Sequence, residues 1–219
     1  MINNLFIFGD SYSTYENFIP DGYRFYYSME GRPNMPVTKM LPEQTWWKMF
    51  LSQTGANLVQ NNSWSGSTIC YTALDGSDCS KTNSFIYRYR QLKESGFFDN
   101  KQIDTLLVFG GTNDNWGESP LGTPKYNDWN EQDLYSALPA ISYFAYTLSK
   151  DLPNTEIIFL INTDLKEELA NTIESSASRF GLKSLRLKNI EKDQGHPTVN
   201  GMKAICNQLL DFVRSEKIL

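Results

Sequence analysis

The chain has 219 residues, 40% of them apolar, and a formal charge of −5. That is enough length and apolar surface for one packed domain, and it excludes a disordered chain. No cluster of Lys and Arg is present to read a phosphate backbone, and no apolar run reaches the ~18 residues of a membrane span, so nucleic acid and a membrane span are excluded.

Met1-Ile2-Asn3-Asn4 leads straight into an apolar run with no basic segment ahead of it. The expectation is a cytoplasmic protein, or a secreted one if a leader has been removed. Residues 2–8 are predicted as the first strand. It stops at Gly9-Asp10, and Ser11 follows. Residues 14–41 then show little periodicity, carry Pro20, Pro33 and Pro36, and cluster Tyr23, Phe25, Tyr26 and Tyr27. An aperiodic stretch of that length is read as an insertion beside a site.

Pro42 opens a predicted helix through Trp46, Trp47 and Phe50 that stops at Gly55. Asn57–Gln60 is a short second strand, followed by a polar turn, Asn61 to Thr68. A helix is predicted over 84–95. Asp104–Phe109 is a third strand whose solid apolar run suits burial on both faces. It breaks at Gly110-Gly111-Thr112-Asn113-Asp114, and Trp116–Asn130 reads as a loop at the same edge. Glu131–Lys150 reads as a helix kinked at Pro139. Glu156–Ile161 is a fourth strand, Asp164–Phe180 an amphipathic helix and Leu182–Leu187 a fifth strand. Residues 188–197 are a loop, and Thr198–Val213 is the last helix, with Val199, Met202, Ile205, Leu209 and Phe212 at helical spacing.

Strands alternating with helices predict an α/β fold with a parallel sheet covered on both sides, in a single domain over 1–219. Right-handed crossovers bring the C-terminal ends of the strands to one edge. Cys70, Cys79 and Cys206 form no C-x-x-C pair, and reduced, structural thiols are expected; Cys70 and Cys79 are near enough in sequence to close a small loop in an oxidising compartment.

The chemistry gathers at that edge. Ser11 follows the first strand, Gly66 the second and Asn113 the third, while Asp193-Gln194-Gly195-His196-Pro197 precedes the final helix. A serine hydroxyl is a weak nucleophile without an adjacent base. His196 is the only histidine in the chain, so a serine enzyme built here must use it. Asp193, three residues earlier, can fold back to orient the imidazole or can cap the last helix; a backbone carbonyl can also orient it. Backbone N–H groups of Ser11 and Gly66 and the Asn113 amide are candidate donors to an oxyanion. Asp10 and Asp114 are expected to brace these loops through backbone hydrogen bonds.

Gly9-Asp10-Ser11, Gly66, Gly111-Thr112-Asn113-Asp114 and Asp193-x-x-His196-Pro197 resemble, in order, the four blocks of the SGNH (GDSL-like) hydrolases. The resemblance runs from residue 9 to residue 197. It departs from the family name at Tyr12, where leucine is usual, and in the long segment after Ser11. It implies a flavodoxin-like, three-layer α/β/α sandwich with five parallel strands in the order 2-1-3-4-5. It implies Ser11 as nucleophile, His196 as general base, Asp193 as its orienting acid, and Ser11, Gly66 and Asn113 as the oxyanion hole. No metal or organic cofactor is expected.

Tyr12, the Tyr23–Tyr27 cluster, Trp64, Trp116, Tyr126 and Trp129 fall on loops predicted to edge the site, with Tyr12, Trp64 and Trp116 as candidate substrate-binding residues; Asn115 and Asp128 are candidates to bond hydroxyl groups. Aromatic faces suit sugar rings, and the family includes carbohydrate O-acetyl esterases. The expected reaction is removal of a small acyl group, acetyl first, from a sugar or glycan. Alternatives are a lipid-type esterase, lysophospholipase or thioesterase, and a glycan-binding domain without turnover.

Overall fold

The computed structural model describes residues 2–218. Its strands are β1 (Asn4–Gly9), β2 (Asn57–Ser63), β3 (Thr105–Phe109), β4 (Glu156–Ile161) and β5 (Lys183–Arg186). All neighbours pair in parallel, in the order β2-β1-β3-β4-β5. The helices are α1 (Trp46–Thr54), α2 (Phe85–Glu94), α3 (Thr112–Trp116), α4 (Ala137–Asp151), α5 (Glu167–Arg179) and α6 (Val199–Ser215).

After their first residues, Asn4, Thr105 and Glu156, the central strands carry no polar side chain, because the sheet is covered twice. Side chains alternate between faces. Phe6, Phe8, Leu106, Val108, Ile157 and Phe159 pack under α2, α4 and α5. Leu5, Ile7, Leu107, Phe109, Ile158 and Leu160 pack under α1 and α6. Each such buried side chain contributes about 1.5–3 kcal/mol relative to exposure. The result is the expected three-layer sandwich, with the C-terminal strand ends on one edge.

Three elements differ from their predicted form. β2 continues through Asn61-Asn62-Ser63, predicted as turn. These polar residues stay in the strand because each is buried and bonded: Asn61 Nδ2 donates to the Ser13 carbonyl at 2.7 Å, Asn62 Oδ1 accepts from Arg88, and Ser63 Oγ donates to Asn61 Oδ1. The predicted helix 131–150 divides into a 3₁₀ turn, Glu131–Tyr135, and α4. Pro139 is the third residue of α4, where its missing N–H breaks no intrahelical bond, so it starts the helix and does not kink it. Pro42 likewise opens a 3₁₀ turn, and Thr45 caps α1 by accepting from the Lys48 amide.

Residues 14–41 are tied down despite their lack of periodicity. Tyr15 bridges to Tyr27, Ser28 to Lys39, and a 3₁₀ turn spans Pro36–Thr38. Tyr15 Oη donates to the Met40 carbonyl at 2.9 Å, and Tyr27 Oη to the Pro197 carbonyl at 3.0 Å. The second contact fastens this segment to the loop that carries His196.

Candidate active site

β1 ends at Gly9, where a side chain would collide with Ser13 and Ser63 at 2.6–2.8 Å. The chain then enters a 3₁₀ turn, Ser11–Ser13, capped by Asp10, whose carboxylate accepts the Tyr12 amide at 3.0 Å. This turn places Ser11 Oγ 2.9 Å from His196 Nε2, across 185 residues of sequence.

His196 lies on a two-residue hairpin. Lys192–Asp193 (β6) pairs antiparallel with His196–Pro197 (β7), and Gln194 and Gly195 both have positive φ, as a type I′ turn requires. The imidazole Nδ1 lies 3.3 Å from the Gln194 carbonyl. A carbonyl can only accept, so Nδ1 carries the hydrogen and Nε2 presents its lone pair to Ser11. Burial pushes the imidazole pKa down to about 4; the Arg32 and Lys192 charges act the same way and the Gln194 carbonyl opposes them. The ring is therefore neutral at pH 7 and able to take a proton from Ser11 Oγ.

Asp193 faces His196 across the hairpin, but its carboxylate is exposed and makes no hydrogen bond to the imidazole. The expected orienting acid is thus not engaged: the carbonyl inside the turn occupies Nδ1. Asp193 does not cap α6 either. Thr198 does, accepting the Gly201 amide at 3.2 Å.

Among the described residues the Ser11 and Gly66 amides have no hydrogen-bond partner. Gly66 has φ +87°, a conformation that glycine reaches at no steric cost. Asn113 follows Gly111 at the start of α3, and its Nδ2 donates one hydrogen to the Ser67 carbonyl at 2.8 Å, leaving the other hydrogen for a ligand. Asp114 holds the turn from the far side: its carboxylate accepts the Ile69 amide at 2.9 Å and the Cys70 amide at 3.1 Å. Burial raises the pKa of Asp114 and lifts that of Asp10 to about 7. Both aspartates brace loops, as expected.

Sequence reasoning missed Arg88. This α2 residue is 2% exposed and makes bonds from Nε to the Asn83 carbonyl, from Nη1 to the Asn62 carbonyl and Oδ1, and from Nη2 to the Gly9 carbonyl and Ser67 Oγ, all at 2.6–3.2 Å. One guanidinium therefore holds the ends of β1 and β2 and the Gly66 turn together. The available signal was its register: Phe85, Arg88, Tyr89 and Leu92 share one helix face.

The aromatic candidates separate. Tyr12 is fully buried; its hydroxyl donates to the Gly195 carbonyl, and its ring packs on Phe109 and His196, so it supports the His196 hairpin and does not line a substrate surface. Trp116 is 44% exposed, 5.6 Å from the His196 ring centroid, and rests on Gly195, where a Cβ would meet it at 3.0 Å. Trp64 is half-buried and packs on Tyr23 at 4.3 Å between centroids. An open cleft of about 520 Å³ runs from Gly66 past Trp64, Arg24, Asp75, Asp78 and Asn83. Trp129 packs instead on Tyr143, Tyr146 and Phe180, and Tyr126 lies against Arg179. Asn115 is occupied by the Asp164 carbonyl and the Lys166 amide.

All three cysteines are buried and free. Among the described residues no helix is long and apolar enough to cross a membrane, and no group of three or more His, Cys, Asp or Glu could hold a metal.

The profile of the GDSL-like lipase/acylhydrolase family matches residues 3–213. The chain belongs to that family. Crystal structures agree with this assignment. A GDSL-like lipase/acylhydrolase relative from Bacteroides ovatus, assigned as a GDSL-like lipase, is 36% identical, with 98% of this chain and 99% of that one covered and a TM-score of 0.87. A second, from Bacteroides uniformis, also assigned as a GDSL-like lipase, is 34% identical, covering 98% and 96%, with a TM-score of 0.84. A family two carbohydrate esterase from Clostridium thermocellum, solved with cellohexaose, shares the fold at 12% identity, covering 98% of this chain and 64% of that one, with a TM-score of 0.61. No curated protein matches the chain in sequence. In this GDSL-like hydrolase the departure at Tyr12 serves the histidine hairpin, and the segment after it supplies a wall of the site.

Proposed function

We propose that this hydrolase is a serine esterase that removes a small acyl group, acetyl first, from a carbohydrate. Ser11 is the nucleophile and His196 the general base. The observation that carries the reading is the 2.9 Å contact between Ser11 Oγ and an imidazole nitrogen whose other nitrogen is held as N–H by Gln194.

Ser11 Oγ attacks the ester carbonyl while its proton passes to His196 Nε2. The tetrahedral oxyanion takes hydrogen bonds from the Ser11 and Gly66 amides and the free N–H of Asn113. His196 returns the proton to the leaving alcohol oxygen as the C–O bond breaks. A water, deprotonated by His196, then attacks the acyl-enzyme, and Ser11 leaves with its proton restored.

Three features favour a carbohydrate leaving group. The cleft beginning at Gly66 offers carboxylate, guanidinium, amide and hydroxyl groups beside Trp64 and is not a deep apolar tunnel. Trp116 stands exposed beside His196 as a platform. The same fold serves a carbohydrate esterase solved with cellohexaose.

The test is a series of nitrophenyl esters from acetate to octanoate, then acetylated oligosaccharides, each with the wild type and Ser11→Ala. A sharp preference for acetate and release of acetate from the oligosaccharides support the proposal. A rise toward octanoate sinks the substrate assignment, and equal turnover by Ser11→Ala sinks the mechanism.

A further inference from the structure

We propose that Tyr26, carried by the segment 14–41, is the positioning residue of the His196 imidazole, fixing by face-to-face stacking a ring plane that no side-chain carboxylate fixes here. This rests on His196 as the base of the proposed acyl transfer.

The rings of Tyr26 and His196 lie 3.6 Å apart between centroids and 9° from parallel. The other restraints on the imidazole do not fix the ring plane: the Nε2 contact with Ser11 Oγ at 2.9 Å holds one atom of the ring. Its Nδ1 contact is a single hydrogen bond of 3.3 Å, beyond the usual range for N–H···O. Tyr12 lies 5.3 Å away at 55° and Trp116 5.6 Å away at 63°, and neither lies flat against it. Only Tyr26 opposes tilting of the ring over a whole face.

Tyr26 is held in the same frame as the nucleophile. Its amide donates to Thr14 Oγ1 at 2.9 Å, and that hydroxyl donates to the Ser11 carbonyl at 3.0 Å. One threonine therefore sets the stacking ring and the Ser11 turn relative to each other. Tyr26 is 4% exposed, and its hydroxyl has no partner. The ring, not the hydroxyl, is what the site uses.

The charged and titratable groups around the pair come from several elements. Arg32 Cζ is 5.2 Å from the Tyr26 ring centroid, Asp193 and Lys192 lie on the hairpin, and Tyr12 comes from the nucleophile turn. The stack keeps water from one face of the imidazole. Opening that face to water favours the charged ring.

His196 is the only histidine, so its Cε1–H resonance identifies itself in a proton spectrum. In the wild type that resonance is expected upfield of an unstacked imidazole, because it lies over the Tyr26 ring. In Tyr26→Leu the displacement is lost, the imidazole titrates at higher pH, and kcat on a small acetyl ester falls by about 10–100-fold with KM little changed, as misplacement of a catalytic group does. Tyr26→Phe keeps the stack, and so restores the resonance, the titration and kcat.

An undisplaced wild-type resonance overturns the proposal. So does a folded Tyr26→Leu with wild-type titration and kcat. If Tyr26→Leu does not fold, the wild-type resonance and Tyr26→Phe decide: loss of kcat in Tyr26→Phe with the displacement retained assigns the role to the hydroxyl and overturns it. Full activity in His196→Ala defeats the acyl-transfer reading alone, because the resonance reports the stack without turnover.

Discussion

Arg88 donates from Nη2 to the Gly9 carbonyl at 3.2 Å, so a charge on α2 holds the last residue of β1 just before Ser11. The same side chain reaches Asn62 and Ser67. Burial lowers its pKa to about 9, and the rings of Phe8 and Phe85 lie 4.5 Å and 4.6 Å from Cζ. Arg88→Met removes the donors and leaves buried oxygens unpaired. The expected loss is at least about 3 kcal/mol, since each orphaned group costs about 1–3. Urea unfolding with an unchanged m-value checks it, and wild-type stability contradicts it.

Ser11→Ala and His196→Ala should each lower kcat/KM on a small acetyl ester by roughly 10³-fold or more, and the double variant by little more than either, because the two act as a unit. A fluorophosphonate probe should label the wild type at Ser11 and fail on His196→Ala. Labelling at another residue would move the nucleophile.

Asp193→Asn should cost less than about tenfold in kcat, far from the ~10⁴-fold that follows loss of an engaged orienting carboxylate. The exposed carboxylate makes no bond to the imidazole, and the Gln194 carbonyl remains in place. A loss of several orders of magnitude would show that Asp193 swings onto Nδ1 during turnover.

The acid limb of kcat/KM should be displaced. The base must be neutral, and burial holds the His196 pKa near about 4. Activity should stay level from neutral pH downward and fall only as pH drops through about 4; kcat/KM reports the free enzyme. A midpoint near the unperturbed ~6.5 would mean that the imidazole is solvated.

Asp10→Asn tests the opposite shift. The folded carboxyl binds its proton below about 7 and the unfolded one below about 3.8. Between those values the folded state holds more protons, so Asp10 lowers stability as pH rises. The stability of Asp10→Asn relative to wild type should therefore increase from pH 4 to pH 8. Thermal unfolding at the two pH values measures it, and a constant difference refutes it.

The sheet was legible because each of its three central strands carries an unbroken apolar run, Leu5–Phe8, Leu106–Phe109 and Ile157–Ile161, as double coverage requires. The polar half of β2 was not. Asn61, Asn62 and Ser63 read as turn until their partners, Ser13 and Arg88, are brought in from elsewhere in the chain. The serine, glycine and asparagine of the candidate site were legible from their places after strands, and the histidine because the chain has no other. The state of Asp193 was not, because spacing alone does not decide between a side-chain carboxylate and a main-chain carbonyl as partner of Nδ1. Tyr12 and Tyr26 show the same limit: an aromatic on an aperiodic segment reads alike whether it meets substrate or packs behind the histidine.

Tyr12 and Tyr27 hold the carbonyls of Gly195 and Pro197, on either side of His196. This has a consequence for biosynthesis. At about 5–20 residues per second, the ribosome delivers His196 roughly 10–40 s after Ser11. Through that interval β1 lacks its β3 partner until residue 109 has emerged, and the tyrosines of the 14–41 segment lack the hairpin they fasten. A nascent chain that stops short of the hairpin therefore has Ser11 without the His196 imidazole, and it leaves the hydroxyls of Tyr12 and Tyr27 without their carbonyl partners. Emergence of the 192–197 hairpin, rather than of Ser11, is the moment at which the Ser11–His196 contact can form.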